Sequence, residues 1–284
     1  MAERKDRIDL AGGFWLVMFA GLMGINQVLV KLVNAGLAPI AQAGLRSICA
    51  LGPVLLYAWW TRKRLSVSDG SLLPGILCGS LFAIEFMMMF TAFDYTSVSR
   101  ATMLFYTMPF WLALAITGVG WALAHNEHPA TQYALFGDLL CIGGAMCWAG
   151  IALTARLTKL SKSSPEMQLV YQLAVSSVIL LPVAALSGPM LREFTPAIGA
   201  MFAFQVLVVV AFGFLMWFRV LAIYPASDMA SFGFLTPLFG VAFGWLILGE
   251  KISWGFAGAL ALVCVGIVLV NRKRKAKVAA VKPG

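Results

Sequence analysis

The sequence predicts an all-α, polytopic membrane protein made of two five-helix halves, the second inserted upside down relative to the first. Three observations predict this fold. The composition is too apolar for a soluble domain, uncharged runs of crossing length recur along the chain, and residue spacings of the first half return in the second. The two repeats are expected to occupy residues 1–124 and 125–284.

The composition alone places the chain in a membrane. Of its 284 residues, 61% are hydrophobic and only 12% are charged. Soluble domains are about half apolar and about one quarter charged. A water-soluble fold could not cover this much apolar surface, so the chain is expected to be a multi-pass protein surrounded by lipid.

A membrane-spanning helix needs about 20 mostly apolar residues. Eight clear apolar runs of about this length occur in the sequence. They are continuous and do not alternate with polar residues, so they predict helices rather than strands of a barrel. Between the third and fourth of them lies another apolar block, 98–124, which is too long for one crossing and too short for two. The eight clear runs are 12–33, 39–60, 71–94, 133–158, 166–187, 197–221, 226–247 and 252–270.

The net charge of +9 comes from short basic clusters between the apolar runs. Such clusters mark the cytoplasmic side of a membrane protein. Nine crossings would place the N-terminal cluster and the C-terminal cluster at 272–277 on opposite sides, whereas ten crossings place every cluster inside. Ten crossings, with both termini cytoplasmic in a bacterial inner membrane, are therefore expected. Loops 34–38, 125–132 and 188–196 would then lie outside.

An internal repeat supports the same count. In the first half, Pro39 precedes Arg46 by the same seven positions that separate Pro165 from Gln172 in the second half. "YTSVSRATMLFYTMPFWLALA" at 95–115 is similar to "YPASDMASFGFLTPLFGVAFG" at 224–244. Because each half would hold an odd number of crossings, the second half would enter the membrane in the opposite sense.

The first half is shorter than its counterpart in one place. Nine positions separate Pro109 from Gly118, whereas 29 separate Pro237 from Gly266. The difference of about 20 residues equals one crossing. The hypothesis is that one crossing is largely missing around residues 110–120.

Several segments in order make the chain resemble the EamA-like branch of the drug/metabolite transporter superfamily. They are "LMGINQVLVK" (22–31), "PIAQAGLR" (39–46), "MCWAGIALTAR" (146–156) and "LTPLFGVAFGWLILGEKISWGFAGALALVCVGIVLV" (235–270). The segment 82–111 is similar to exporters of aromatic amino acids. The resemblance implies a secondary exporter of small amphipathic metabolites, aromatic or neutral amino acids first, which works by alternating access.

Other functions stay open at this point. A multidrug or cation exporter and a carrier of sugar phosphates or nucleotide sugars share the same superfamily. A membrane scaffold or receptor without transport is a further alternative. An enzyme is not expected, because no protease or nucleotide-binding motif falls in the apolar runs. No cofactor, metal or nucleic acid is expected. The partners would be a small-molecule substrate and lipid, and the working unit a monomer.

The candidate substrate-binding residues are polar groups within crossings and bulky aromatic residues on several crossings. Glu85 could bind a proton or an ammonium group, and it could equally pair with Arg46 or Gln172 inside the bundle. Arg46 could bind a carboxylate. Pro109 and Pro237, at equivalent repeat positions, are candidate hinges. The full candidate binding set is Asn26, Arg46, Phe82, Glu85, Phe86, Tyr106, Trp148, Tyr171 and Trp217.

Overall fold

The structure is a computed structural model, and in the part of the chain that it describes every secondary-structure element is helical. It describes residues 8–62, 65–106, 132–213 and 235–251, together with residues 216, 217, 220, 223, 224, 229 and 232. Three predictions fall outside these residues and are not tested by the structure. They are the missing crossing at 110–120, the repeat boundary at 124/125 and the hinge at Pro109.

The described helices confirm the predicted apolar crossings over most of the chain. Within the described residues, five helices are long and apolar enough to cross a membrane, and two apolar helical stretches are shorter. The elements, in chain order, are α1 (Leu10–Val33), α2 (Pro39–Trp60), α3 (Leu72–Tyr95), α4 (Val98–Phe105), α5 (Gln132–Leu157), a 3₁₀ turn (Lys159–Lys162), α6 (Pro165–Leu186), α7 (Pro196–Phe204), a π-helix (Gln205–Phe212) and α8 (Leu235–Leu248).

Local sequence explains where several helices begin. Pro39, Pro165 and Pro196 each occupy the first position of a helix, where the missing N–H costs no helical hydrogen bond. The hydroxyls of Ser164 and Thr195 cap the starts of α6 and α7 by accepting backbone N–H groups. The repeated proline of the two halves therefore has the same structural role in α2 and α6.

The helices form two compact units. One unit comprises Leu29–Ala211, and the other comprises Met1–Val28 with Phe212–Gly284. The first of these, called the central unit below, groups helices from both predicted repeats, so helix packing and sequence repetition divide the chain differently. In the second unit, Leu16, Met216 and Tyr224 belong to one buried cluster, and the Tyr224 hydroxyl donates to Asp9 Oδ1 at 2.5 Å.

Close contact between α3 and α6 in the central unit depends on two glycines. A Cβ placed on Gly75 would lie 2.5 Å from the ring of Tyr171. A Cβ on Gly79 would lie 2.5 Å from Val175 Cβ and 2.6 Å from the Tyr171 carbonyl oxygen. The GxxxG pair at 75–79 therefore packs inside the molecule, because only residues without a side chain allow this approach.

Gly79→Ala is expected to destabilise the central unit, since the new methyl group meets backbone as well as side-chain atoms. Overpacking of this kind costs about 1–3 kcal/mol. The matched control is Gly52→Ala on α2, where an added Cβ meets nothing within 4 Å. Thermal unfolding in detergent should show a lower Tm for Gly79→Ala and an unchanged or higher Tm for Gly52→Ala. Equal Tm values would contradict the close α3–α6 contact.

Among the described residues, loops of the central unit contact each other at both of its ends. Loops 34–38 and 188–196, both predicted to lie outside, meet through an antiparallel bridge between Leu37 and Leu191. At the other end, the Ser163 hydroxyl donates to Asp69 Oδ2 at 3.4 Å, which joins two loops predicted to be cytoplasmic. Which end faces the cytoplasm stays a prediction.

Candidate functional site

Arg46 lies two turns into α2 and is almost completely buried. Its guanidinium carbon lies 4.6 Å from the ring centroid of Phe86 and 5.0 Å from that of Phe90, both on α3. At these distances the faces of aromatic rings attract a cation. The flat guanidinium is thus held against two rings, which fixes the orientation of a group well suited to binding a carboxylate.

Those two rings belong to an aromatic column along α3. The Phe82 and Phe86 ring centroids are 4.0 Å apart, and those of Phe86 and Phe90 are 5.2 Å apart. Residues four apart share one face of a helix, so the spacing accounts for the column. It gives the surroundings of Arg46 a largely apolar, aromatic character.

Glu85 is the second charged group in this region. Its side chain is on α3, only 5% exposed, and it interacts electrostatically with Arg46. Its Oε2 atom is buried and accepts no hydrogen bond from any residue that the structure describes. A buried carboxylate oxygen without a donor is costly, so this atom is available to a ligand that brings one. Gln172, the alternative partner considered for Glu85, donates instead to Cys78 Sγ at 3.6 Å.

A group of three aromatic residues lies beside the Glu85 turn. Trp148 on α5 stacks on Phe105 at the end of α4, with centroids 5.0 Å apart and planes 5° from parallel. Tyr106 meets Trp148 edge-on at 5.8 Å. A Cβ on Gly144 would lie 3.6 Å from both the Glu85 carbonyl oxygen and the Phe105 ring, so this group is next to α3 at that level.

The remaining candidates have other described contacts. The Tyr171 hydroxyl is 3.0 Å from Ser71 Oγ at the start of α3, and its ring packs against Gly75. Asn26 and Trp217 belong to the second unit, where Asn26 is half-buried on α1 and Trp217 stacks on Phe19 at 4.9 Å. Pro237, the described candidate hinge, is the third residue of α8 and is buried. The central unit thus brings together Arg46, Phe82, Glu85 and Phe86, with Tyr106 and Trp148 close by.

Sequence reasoning missed a buried amide pair. Gln42, one turn before Arg46 on α2, donates from Nε2 to Oε1 of Gln205, the first residue of the π-helix, at 3.2 Å. Both side chains are 0% exposed. The available signal was the repeat itself, because Gln42 and Gln168 each follow a helix-starting proline by three positions. Gln168 donates to two loop carbonyl groups, so the equivalent residues have different roles.

A polar network at the predicted outer end was also missed. Asp138 on α5 is buried and accepts from the Thr96 hydroxyl at 3.1 Å and from the Arg100 guanidinium, its ion-pair partner. Asp94 forms an ion pair with Arg192 at 2.8 Å and accepts from Asn34 Nδ2 at 2.9 Å. These contacts join helix ends that are distant in sequence, and no local motif indicates them.

Comparison with known proteins identifies the class to which this architecture belongs. The sequence model of the EamA-like transporter family matches residues 10–119 and again 135–272. The chain therefore belongs to the EamA-like transporter family and is a multi-pass membrane transporter, within the drug/metabolite transporter superfamily.

Individual relatives agree with this assignment. The chain is 24% identical over 270 residues to "Uncharacterized transporter YoaV" of Bacillus subtilis (strain 168), a match that covers 87% of this chain and 92% of the relative. It is 31% identical over 153 residues to "Uncharacterized transporter YvbV" of the same organism, which covers 52% and 48%. A crystal structure with 13% identity aligns at a TM-score of 0.63 over 90% of this chain and 95% of the other, a likeness of fold alone.

Proposed function

We propose that this transporter exports small amphipathic metabolites, aromatic or neutral amino acids first, by alternating access. Its substrate site would be the region around Arg46, Glu85 and Phe86. Export, amino acids as cargo and the alternating motion all go beyond family membership. They draw support from the chemistry of the central unit and from the transporter class of the chain.

One observation carries the proposal: a buried acid and a buried base lie on neighbouring helices beside a column of aromatic rings. The Arg46 guanidinium suits the α-carboxylate of an amino acid. Glu85 Oε2, which accepts no hydrogen bond within the described part of the chain, suits the α-ammonium group. Phe82, Phe86 and the Trp148 group offer apolar, aromatic contacts for a side chain. An amino-acid zwitterion supplies all three complements at once.

The test uses purified full-length protein in liposomes. Vesicles preloaded with unlabelled phenylalanine, tyrosine or tryptophan should accumulate the labelled amino acid by exchange above protein-free vesicles. Labelled lysine and glutamate are the controls, because their charged side chains would meet no counter-charge among the apolar, aromatic contacts proposed for the substrate side chain. Uptake that ignores every aromatic amino acid would contradict the proposed substrate class.

A second candidate rests on Glu85 alone. A buried carboxylate with a free oxygen near aromatic rings also suits a lipophilic cation, since both the charge and the ring faces attract it. A tetraphenylphosphonium competition assay in the same vesicles separates the two candidates. Strong inhibition together with direct tetraphenylphosphonium transport, and no amino-acid exchange, would favour the cation exporter.

A further inference from the structure

We infer that the Gln42–Gln205 amide pair is a second polar subsite, which binds the distal hydroxyl group of a tyrosine-like substrate. This inference rests on the proposed function, because it assumes that the head group of an amino acid binds at Arg46 and Glu85. It adds a basis for choosing between aromatic amino acids, which the acid–base pair cannot supply.

The amide pair leaves two hydrogen-bonding atoms open in a fully buried place. Gln42 Nε2 donates to Gln205 Oε1, while Gln42 Oε1 and Gln205 Nε2 have no partner among the residues that the structure describes. An unmet buried polar group is costly, because it has lost its hydrogen bonds to water and gained none in the protein. The pair therefore leaves one acceptor and one donor unmet, and a ligand group that satisfies both would relieve two penalties.

The position of the pair fits one particular kind of ligand group. Gln42 and Arg46 are four residues apart, so they lie on the same face of α2 about one helical turn, or about 5.4 Å, from each other. A substrate whose carboxylate meets Arg46 can extend along this face and bring its far end to Gln42. A phenolic hydroxyl both donates and accepts, as the two open amide atoms require.

The backbone at Gln205 is also unusual. This residue starts an eight-residue π-helix directly after α7. π-Helical turns are rare and occur frequently at functional sites. Gln168, the repeat equivalent of Gln42, uses its amide to hold the loop carbonyl groups of Leu160 and Ser163. Of these two equivalent residues, Gln42 is the one whose amide contacts a polar side chain on another helix, that of Gln205.

The first measurement uses the wild-type protein. Tyrosine and 4-fluorophenylalanine are nearly isosteric, but the fluorine cannot donate a hydrogen bond. A site that hydrogen-bonds a substrate hydroxyl discriminates strongly against an analogue that lacks it. Tyrosine should compete for labelled tyrosine exchange about tenfold or more better than 4-fluorophenylalanine or phenylalanine. Equal competition by the three compounds would overturn the inference and leave the proposed function intact.

The second measurement uses variants. Gln42→Met/Gln205→Met replaces both partners with apolar side chains of similar size, a change that is often close to neutral for stability. The double variant should lose the preference for tyrosine, so that the ratio of tyrosine exchange to phenylalanine exchange falls about tenfold or more. Gln172→Met is the matched control and should keep the preference, since the amide of Gln172 donates to Cys78 Sγ at 3.6 Å and takes no part in the proposed subsite. A double variant that still prefers tyrosine overturns the inference, and a wild type without aromatic exchange overturns the proposed function as well.

Discussion

Replacing either member of the buried Arg46–Glu85 pair with glutamine is expected to destabilise the protein, and replacing both is expected to restore much of the stability without restoring transport. Each single change leaves one buried charge without the opposite charge near it, and for a buried pair in direct contact such a loss costs about 3–5 kcal/mol, which is the upper limit expected here. Both side chains are at most 7% exposed, so water can relieve little of this cost. The double variant Arg46→Gln/Glu85→Gln removes both charges together.

Two readouts on the same four proteins separate stability from substrate binding. Thermal unfolding in detergent should rank wild type and the double variant above both single variants. Aromatic amino-acid exchange in liposomes should fall strongly in all three variants, because each lacks the proposed contact to carboxylate, to ammonium, or to both. Glu193→Gln, an exposed carboxylate in loop 188–196, is the control and should change neither readout.

Transport by the double variant at the wild-type rate would contradict the substrate role of the two residues and leave them with a structural role. The single variant Glu85→Gln also addresses a proton role. If Glu85 carries a proton during transport, the residual activity of this variant should no longer depend on pH between 5 and 8. A pH profile that follows the wild type would remove that role.

Asp138→Asn is expected to be the second strongly destabilising change. Asp138 is 3% exposed, and the substitution removes the charge that compensates Arg100 while the bond from Thr96 can persist. Breaking a buried pair costs about 3–5 kcal/mol, and a value near the lower limit is expected because the Arg100 side chain stays 23% exposed.

The matched control lies at the same end of the central unit. Asp94→Asn breaks the ion pair with Arg192. In this pair the Asp94 side chain is 22% exposed and the Arg192 side chain is 42% exposed. Exposed pairs contribute about 0–1 kcal/mol, so this variant should unfold close to the wild-type temperature. Equal Tm losses in the two variants would show that burial does not distinguish the pairs.

The sequence predicts the helices well because lipid imposes a simple rule on them. A crossing needs a continuous apolar run, and the runs at 39–60 and 166–187 became α2 and α6 with ends shifted by no more than one residue. The π-helix at Gln205–Phe212 was not predictable in this way. Its apolar composition is the same as that of an ordinary helix, so hydropathy contains no signal for the change in winding.

The candidate site was predictable in part, for a related reason. Glu85 and Arg46 stand out because charges within crossings are rare and costly, and their spacing within each helix is visible in the sequence. Which helices meet is decided by packing. Two contacts in the candidate site join residues on different helices and have no local signal in the sequence. Arg46 stacks on Phe86 and Phe90, and Gln42 donates a hydrogen bond to Gln205. The substrate roles of all these residues stay predictions.

The bridge between Leu37 and Leu191 limits how the central unit can deform. Ala38 N–H donates to the Met190 carbonyl at 2.9 Å, and Arg192 N–H donates to the Gly36 carbonyl at 2.9 Å. Two backbone hydrogen bonds therefore connect the turn after α1 to the turn after α6. As long as these two hydrogen bonds stay intact, a displacement of one turn also displaces the other. Under the proposed alternating access, we therefore expect the two turns to move together and any bending to occur farther along the helices.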